Sequence, residues 1–185
     1  MFTTKEFEMD DKKLIIMRGL PWTGKTHRSK ELAGEEGVIF STDDYWYEVN
    51  YPDKPDEYSF NRRFLSGAHK WNQLRAHRAI DMGNPLVIID NTNTTAWEPK
   101  PYVQYALWQD YKVCIEEPTS DRWKEISQLL LRKRDNNKAL KDWAKKLAEG
   151  SVEKHSVPFW AIEKMMWRWH CNLTVQEILD SEDLL

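Results

Sequence analysis

The sequence predicts an α/β fold, a parallel sheet of about four to five strands covered by helices. Three observations carry this expectation: short unbroken apolar runs of strand length, helical stretches between them, and turn residues at the boundaries. Leu14-Ile15-Ile16-Met17 is the first run, with charges before it and a Gly-Pro region after it. A helix is predicted from Lys25 to Leu32, and Gly37-Val38-Ile39-Phe40-Ser41 follows as the second strand. The longest helical stretch spans about Asn61 to Met82, placing Phe64, Ala68, Trp71, Leu74, Ala79 and Met82 at spacings of three to five, with Gly83 as its stop. Leu86-Val87-Ile88-Ile89-Asp90 is the third strand. The next helix opens near Pro99 or Pro101, where proline suits a first turn, and Lys112 to Glu116 form a weaker fourth strand. Thr174 and Glu177 make a capping box ahead of Ile178 and Leu179, opening a short C-terminal helix.

At 185 residues, without an internal repeat or a Pro/Gly/Ser-rich linker, the chain is expected to form one domain over residues 1–185. With 41% hydrophobic residues it is too apolar to be disordered. Twenty-seven Lys plus Arg against 30 Asp plus Glu leave a net charge of −3, so any nucleic-acid contact must be a local patch rather than a basic coat. Cys114 and Cys171 lie far apart, without metal-ligand spacing, which fits a reducing, cytoplasmic setting better than a disulfide scaffold. No stretch reaches the roughly 20 apolar residues of a membrane span. The segment from Met1 to Lys13 is polar and lacks the core of a signal peptide.

The chemistry is concentrated at the ends of the predicted strands. Gly19-Leu20-Pro21-Trp22-Thr23-Gly24-Lys25-Thr26 follows the first strand and matches G-x-x-x-x-G-K-[ST] in full. In such a loop the backbone N–H groups and a helix N-terminus wrap phosphates, the lysine reaches the β and γ phosphates, and the hydroxyl meets Mg²⁺. The alternative, a tight structural turn, is outweighed by the strand before the loop and the helix after it. Asp43 and Asp44 follow the second strand, at the end of the sheet where ligands bind in open α/β folds. A carboxylate there serves as a general base or holds Mg²⁺ through water; its plainer role is a helix N-cap. Asp90-Asn91-Thr92-Asn93 closes the third strand in the form of a Walker B element, although Asn and Thr also suit a plain turn.

Together, Gly19–Thr26, Ser-Thr-Asp-Asp at 41–44 and Ile-Ile-Asp-Asn-Thr-Asn at 88–93 resemble the P-loop 5′-polynucleotide kinases, both the phage enzyme's branch and, more closely, the Nedd-four-binding-protein-2-like kinase domains. The likeness continues through Ala68–Gln73, Trp97–Tyr102, Glu117-Pro118, Trp123 and His155–Pro158. It implies a P-loop NTPase/kinase fold with a helical lid near residues 122–157, use of ATP and Mg²⁺, and a 5′-hydroxyl of single-stranded or end-exposed DNA or RNA as acceptor. It further implies Asp43 as the base, Arg132 on the ATP phosphates and Arg134 on the transferring group, with Thr26 and Asp90 on the metal. A solvated basic face is the plain alternative for the two arginines. Asp44, Trp46, Asn72, Arg75, Asn91 and Asn93 are the expected substrate contacts, although Asn72 and Arg75 could equally cap or solvate Trp71.

The chain departs from the family pattern in three places. Trp46 stands where the phage enzyme carries an arginine three residues beyond its catalytic aspartate, and an indole there could stack on a base. In gapless register the acid of the third strand falls on Asn91 rather than Asp90, so either residue takes the metal-side role. An extra stretch, Asp135 to Lys154, separates the lid from Val157-Pro158. Within it Leu140, Trp143 and Leu147 make an apolar stripe, Lys138, Lys141, Lys145 and Lys146 leave the other faces basic, and Gly150 is the expected stop. That helix either packs on the lid as scaffold or clamps the substrate backbone. Two rivals stand beside the polynucleotide kinase: a kinase for a nucleoside, metabolite or nucleotide sugar, and a non-catalytic NTP-binding module with a Trp-rich surface. Lys25, Thr26 and Asp43 together argue against the module, because a pure binder has no use for a general base.

Overall fold

The computed structural model describes residues 12–49, 58, 60–152 and 155–182; most of the polar N-terminal segment, and Glu153 and Lys154 of the extra stretch, lie outside them. Strands β1 (Lys13–Met17), β2 (Val38–Phe40), β3 (Leu86–Ile89) and β4 (Lys112–Glu116) form a parallel sheet in the order β2-β3-β1-β4. Helices α1 (Lys25–Ala33), α2 (Asp44–Glu48), α3 (Leu65–Asp81), α4 (Lys100–Trp108), α5 (Asp121–Leu130), α6 (Asn137–Gly150), α7 (Phe159–Arg168) and α8 (Val175–Asp180) complete the described chain. The predicted α/β class and its parallel sheet are therefore the observed ones. No helix among the described residues is long and apolar enough to cross a membrane.

Successive residues of a strand point to opposite faces, so the unbroken apolar runs supply two cores at once. On one face Leu14, Ile16, Val87 and Ile89 pack with Ala76, Ala79 and Ile80 of α3, Tyr102, Val103 and Ala106 of α4, and Ile178 of α8. On the other, Ile15, Met17 and Ile88 meet Ala33 of α1. A third core joins Leu20 of the loop after β1 to α5, α6 and α7 through Trp123, Ile126, Leu130, Leu140, Ala144, Leu147, Ile162 and Met166. The apolar stripe of the extra stretch is thus consumed by packing, as the scaffold reading of that helix expected.

The long helical stretch differs from its prediction. A short 3-10 turn, Arg62–Phe64, capped by the Asn61 side chain on the Arg63 amide at 3.0 Å, precedes α3. The buried positions are Ala68, Asn72, Ala76, Ala79 and Ile80, whereas Phe64, Leu74 and Met82 are exposed. Bulk misled the periodicity: small residues at true 3.6 spacing let α3 approach the sheet closely. The end of the helix matches its expectation, with Gly83 at φ +74° and its amide bonded to the Ile80 carbonyl. The capping box at Thr174 and Glu177 is formed in both directions.

Candidate functional site

Parallel strands bring all four of their carboxyl ends to one edge. Backbone hydrogen bonds then lock the loops leaving that edge: Gly19 N–H to Thr92 O at 3.1 Å, Arg18 N–H to Glu116 O at 2.8 Å, and Asp90 N–H to Phe40 O at 2.9 Å. Gly24, at φ +91° and ψ 14°, is the left-handed residue that turns the loop into α1. The amides of the first turn of α1 have no intrahelical partner and project into the loop's hollow. Leu20 and Thr23 are fully buried; the Thr23 hydroxyl donates to Leu20 O at 2.7 Å, so these two serve the loop through their backbone alone. Lys25 reaches across the hollow to the buried Asp90, with Nζ 2.6 Å from Oδ1 and 3.3 Å from the Asp90 carbonyl. Thr26 is exposed beside it.

Asp43 occupies the N-cap position of α2, yet its side chain makes no capping bond. Its carboxylate instead takes a hydrogen bond from the Tyr58 hydroxyl on Oδ1 at 3.3 Å and faces His155 Nδ1 from Oδ2 at 3.4 Å. The rings of Tyr58 and His155 stack with centroids 4.7 Å apart. Burial, reinforced by Asp43, pushes the Tyr58 hydroxyl above the usual phenol range, so it stays protonated and donates. Asp44 behaves differently: Oδ2 accepts from Arg75 at 3.0 Å and from the Ser41 amide at 3.3 Å. Arg75 also lies 4.2 Å over the Trp71 ring and 3.8 Å from Glu48, so Asp44 and Arg75 fasten α2 to α3 at the rim of the cleft.

Three expected substrate contacts are corrected by burial. Trp46 is 1% exposed and packs edge-on against Tyr45 and Phe60, so its indole offers no open face to a base. Asn72 is buried, with its amide nitrogen donating to the Tyr102 hydroxyl at 3.0 Å. Asn93 is buried at φ +45°, donates from Nδ2 to Met17 O at 2.7 Å, and lends its carbonyl to Arg18 Nε at 2.9 Å. Asn91 is half-buried; Oδ1 accepts from the Thr42 amide at 2.9 Å and ties β2 to β3 below Asp43. The structure therefore sets Asp90, not Asn91, against the phosphate loop.

Arg132 and Arg134 are exposed on the turn between α5 and α6, while Lys133 between them turns inward and donates to the carbonyls of Trp167 and Trp169. Sequence reasoning overlooked Arg18, which is 1% exposed. Its guanidinium donates to Asn93 O and His170 O, faces Glu117 at 3.5 Å and lies over the Trp169 ring. Burial pulls it down to about 10, which leaves it charged at neutral pH. A charge directly after an apolar strand was its only signal. His155 lies in the His155–Pro158 segment that carries the family likeness but had no expected role, and Tyr58 lies outside every pattern.

A glycine-rich loop after β1, a lysine over its hollow and carboxylates at the ends of β2 and β3 define a P-loop kinase-type α/β domain. The AAA domain family model matches residues 14–151, and the chain belongs to that family of P-loop kinase domains. It is 38% identical over 147 residues to human NEDD4-binding protein 2, a match covering 78% of this chain and 8% of that protein's length. A chain in the structure of the Pnkp1/Rnl/Hen1 RNA repair complex superposes with a TM-score of 0.53 at 17% identity, covering 90% of this chain and 46% of that one, a likeness of fold.

Proposed function

We propose that the protein is an ATP- and Mg²⁺-dependent kinase that transfers the γ-phosphoryl group to the 5′-hydroxyl of DNA or RNA. The observation that carries this reading is the Asp43 carboxylate, which is left uncapped by α2 and oriented by Tyr58 and His155 on the sheet edge that bears Lys25. The resemblance of the motifs at 19–26, 41–44 and 88–93 to the 5′-polynucleotide kinases, and the fold shared with a chain of the RNA repair complex, support a nucleic-acid acceptor.

In this mechanism, arriving phosphates take Lys25 away from Asp90, and the loop amides and α1 N-terminus cradle them. Thr26 and Asp90 would hold Mg²⁺; one hydroxyl and one carboxylate suit an ion that draws its remaining ligands from water and phosphate oxygens, and its charge would offset theirs. Asp43 accepts the proton of the attacking hydroxyl on a carboxylate oxygen, displacing Tyr58 or His155 from it. Arg132 and Arg134, on their exposed turn, supply cations to the phosphates as charge spreads over the transferring group.

Labelled ATP and Mg²⁺ offered to 5′-hydroxyl DNA, 5′-hydroxyl RNA, nucleosides and sugars test the proposal. Label on the 5′ end of an oligonucleotide is expected. Label confined to a nucleoside or sugar would make the protein a small-molecule kinase, and ATP binding without transfer would make it a binding module.

A further inference from the structure

Trp22 sits in the phosphate loop with φ +60°, a left-handed conformation that a bulky residue rarely adopts. Something must hold it there, and although Trp22 is 47% exposed its ring has two close neighbours. The Arg122 guanidinium carbon lies 3.7 Å from the ring centroid, and Nη1 of the same residue donates to the Trp22 carbonyl at 2.6 Å. The second neighbour is Gly150, in the last turn of α6. A Cβ added at Gly150 would fall 2.1 Å from Cδ2, 2.2 Å from Cε2 and 2.4 Å from Cε3 of the indole. A neighbouring bond, Ser120 Oγ to Thr23 O at 2.7 Å, fixes the next loop residue to the N-terminus of α5. Gly150 was expected as a helix stop, but it lies within α6, and Ser151 at φ −85° is the cap. Its lack of a side chain makes room for Trp22.

We infer that Trp22 is a positioning residue: a peg, seated against Gly150 and held by Arg122, by which the extra helix α6 holds the phosphate loop in its cradle shape. The peg ties α6 to the strongest chemical motif of the chain without α6 touching a phosphate. Its consequence for nucleotide affinity rests on the proposed function; the mechanical coupling does not.

The test is a double-mutant cycle between positions 22 and 150, read by amide hydrogen exchange on the nucleotide-free protein and by ATP affinity and turnover. Glycine tolerates the φ of position 22, so Trp22→Gly removes the peg without adding backbone strain. It should speed exchange in the loop at 20–24 and in the last turn of α6. If the released loop is cradle-shaped about a tenth of the time, the Kd for ATP rises about tenfold. Gly150→Ala introduces a better helix former, so harm from it must come through the indole. It should reproduce both effects when Trp22 is present and add nothing in the Trp22→Gly background. Trp22→Phe, which keeps a flat ring against the same neighbours, should restore most of the affinity. Wild-type exchange and affinity in Gly150→Ala, or simple additivity in the double variant, would refute the peg. Should the wild-type protein bind no ATP, the proposed function falls and the exchange cycle alone decides the coupling.

Discussion

Lys25 and Asp90 are the tightest charge pair at the site, and their burial changes what a mutation does. The Lys25 side chain is 12% exposed and that of Asp90 3%, so Lys25→Ala strands a carboxylate in a poorly solvated place. Beyond abolishing phosphoryl transfer, it should lower unfolding free energy by on the order of 3 kcal/mol, with much of that recovered by adding Asp90→Asn. Chemical denaturation of the three variants checks this, and an unchanged midpoint for Lys25→Ala would contradict it. The two neighbouring aspartates separate by their partners. Asp43→Asn should keep ATP binding and cost roughly 10²- to 10⁴-fold in rate, the range of a positioned general base. Asp44→Asn removes a half-exposed pair with Arg75, worth less than about 1 kcal/mol, and should spare most of the rate. Steady-state kinetics of both decide which aspartate is the base. The sequence showed two adjacent carboxylates with identical local surroundings; Tyr58, Arg75 and His155 distinguish them, arriving from 15, 31 and 112 residues away, distances that no local pattern spans.

At the scale of elements, burial outranks chemical type. Trp46 belongs to the packing of α2, and Trp46→Ala should cost about 3–5 kcal/mol of stability in an unfolding titration. A contact with a nucleobase alone would have left stability untouched. Between α3 and α4, the His77 and Tyr105 rings stack with centroids 3.8 Å apart, and His77 Nε2 is buried without a partner. Burial lowers the His77 titration point below its ordinary 6.5, so the native state binds fewer protons than the unfolded chain in that range. Stability contributed by the neutral ring is complete above pH 6.5 and falls as pH drops toward the folded-state value. The slope from this group is at most about 1.4 kcal/mol per pH unit. His77→Phe, which keeps a ring against Tyr105, should flatten the acid limb of stability measured by denaturant titrations from pH 7 to 5; an unchanged limb would exclude His77 as a source.

For the molecule as a whole, a net charge of −3 means that any hold on a polyanion must come from a local face. Helix α6 supplies one candidate: its apolar stripe is packed, Lys141 lies 3.8 Å from Glu163, and Lys146 sits over the Trp143 ring. Changing Lys141, Lys145 and Lys146 together to Ala should weaken oligonucleotide binding while leaving ATP affinity unchanged. Each lysine that neutralises a phosphate should take about 0.7 from the slope of log K against log salt. A slope equal to that of the wild type would leave α6 as scaffold and peg holder alone.

The sequence by itself determined the four strands, the phosphate loop, the Gly83 stop and the capping box at Thr174 and Glu177. These depend on interactions within a few residues: an apolar run, a glycine at positive φ, a side chain reaching a nearby amide. Tertiary structure alone decided which polar residues face the cleft and which are sealed beneath it, that Asp90 rather than Asn91 meets Lys25, and that Gly150 is a seat rather than a stop. Each of those outcomes is set by what another element places within about 4 Å, and in a parallel sheet with long crossovers the neighbours in space are seldom neighbours in sequence.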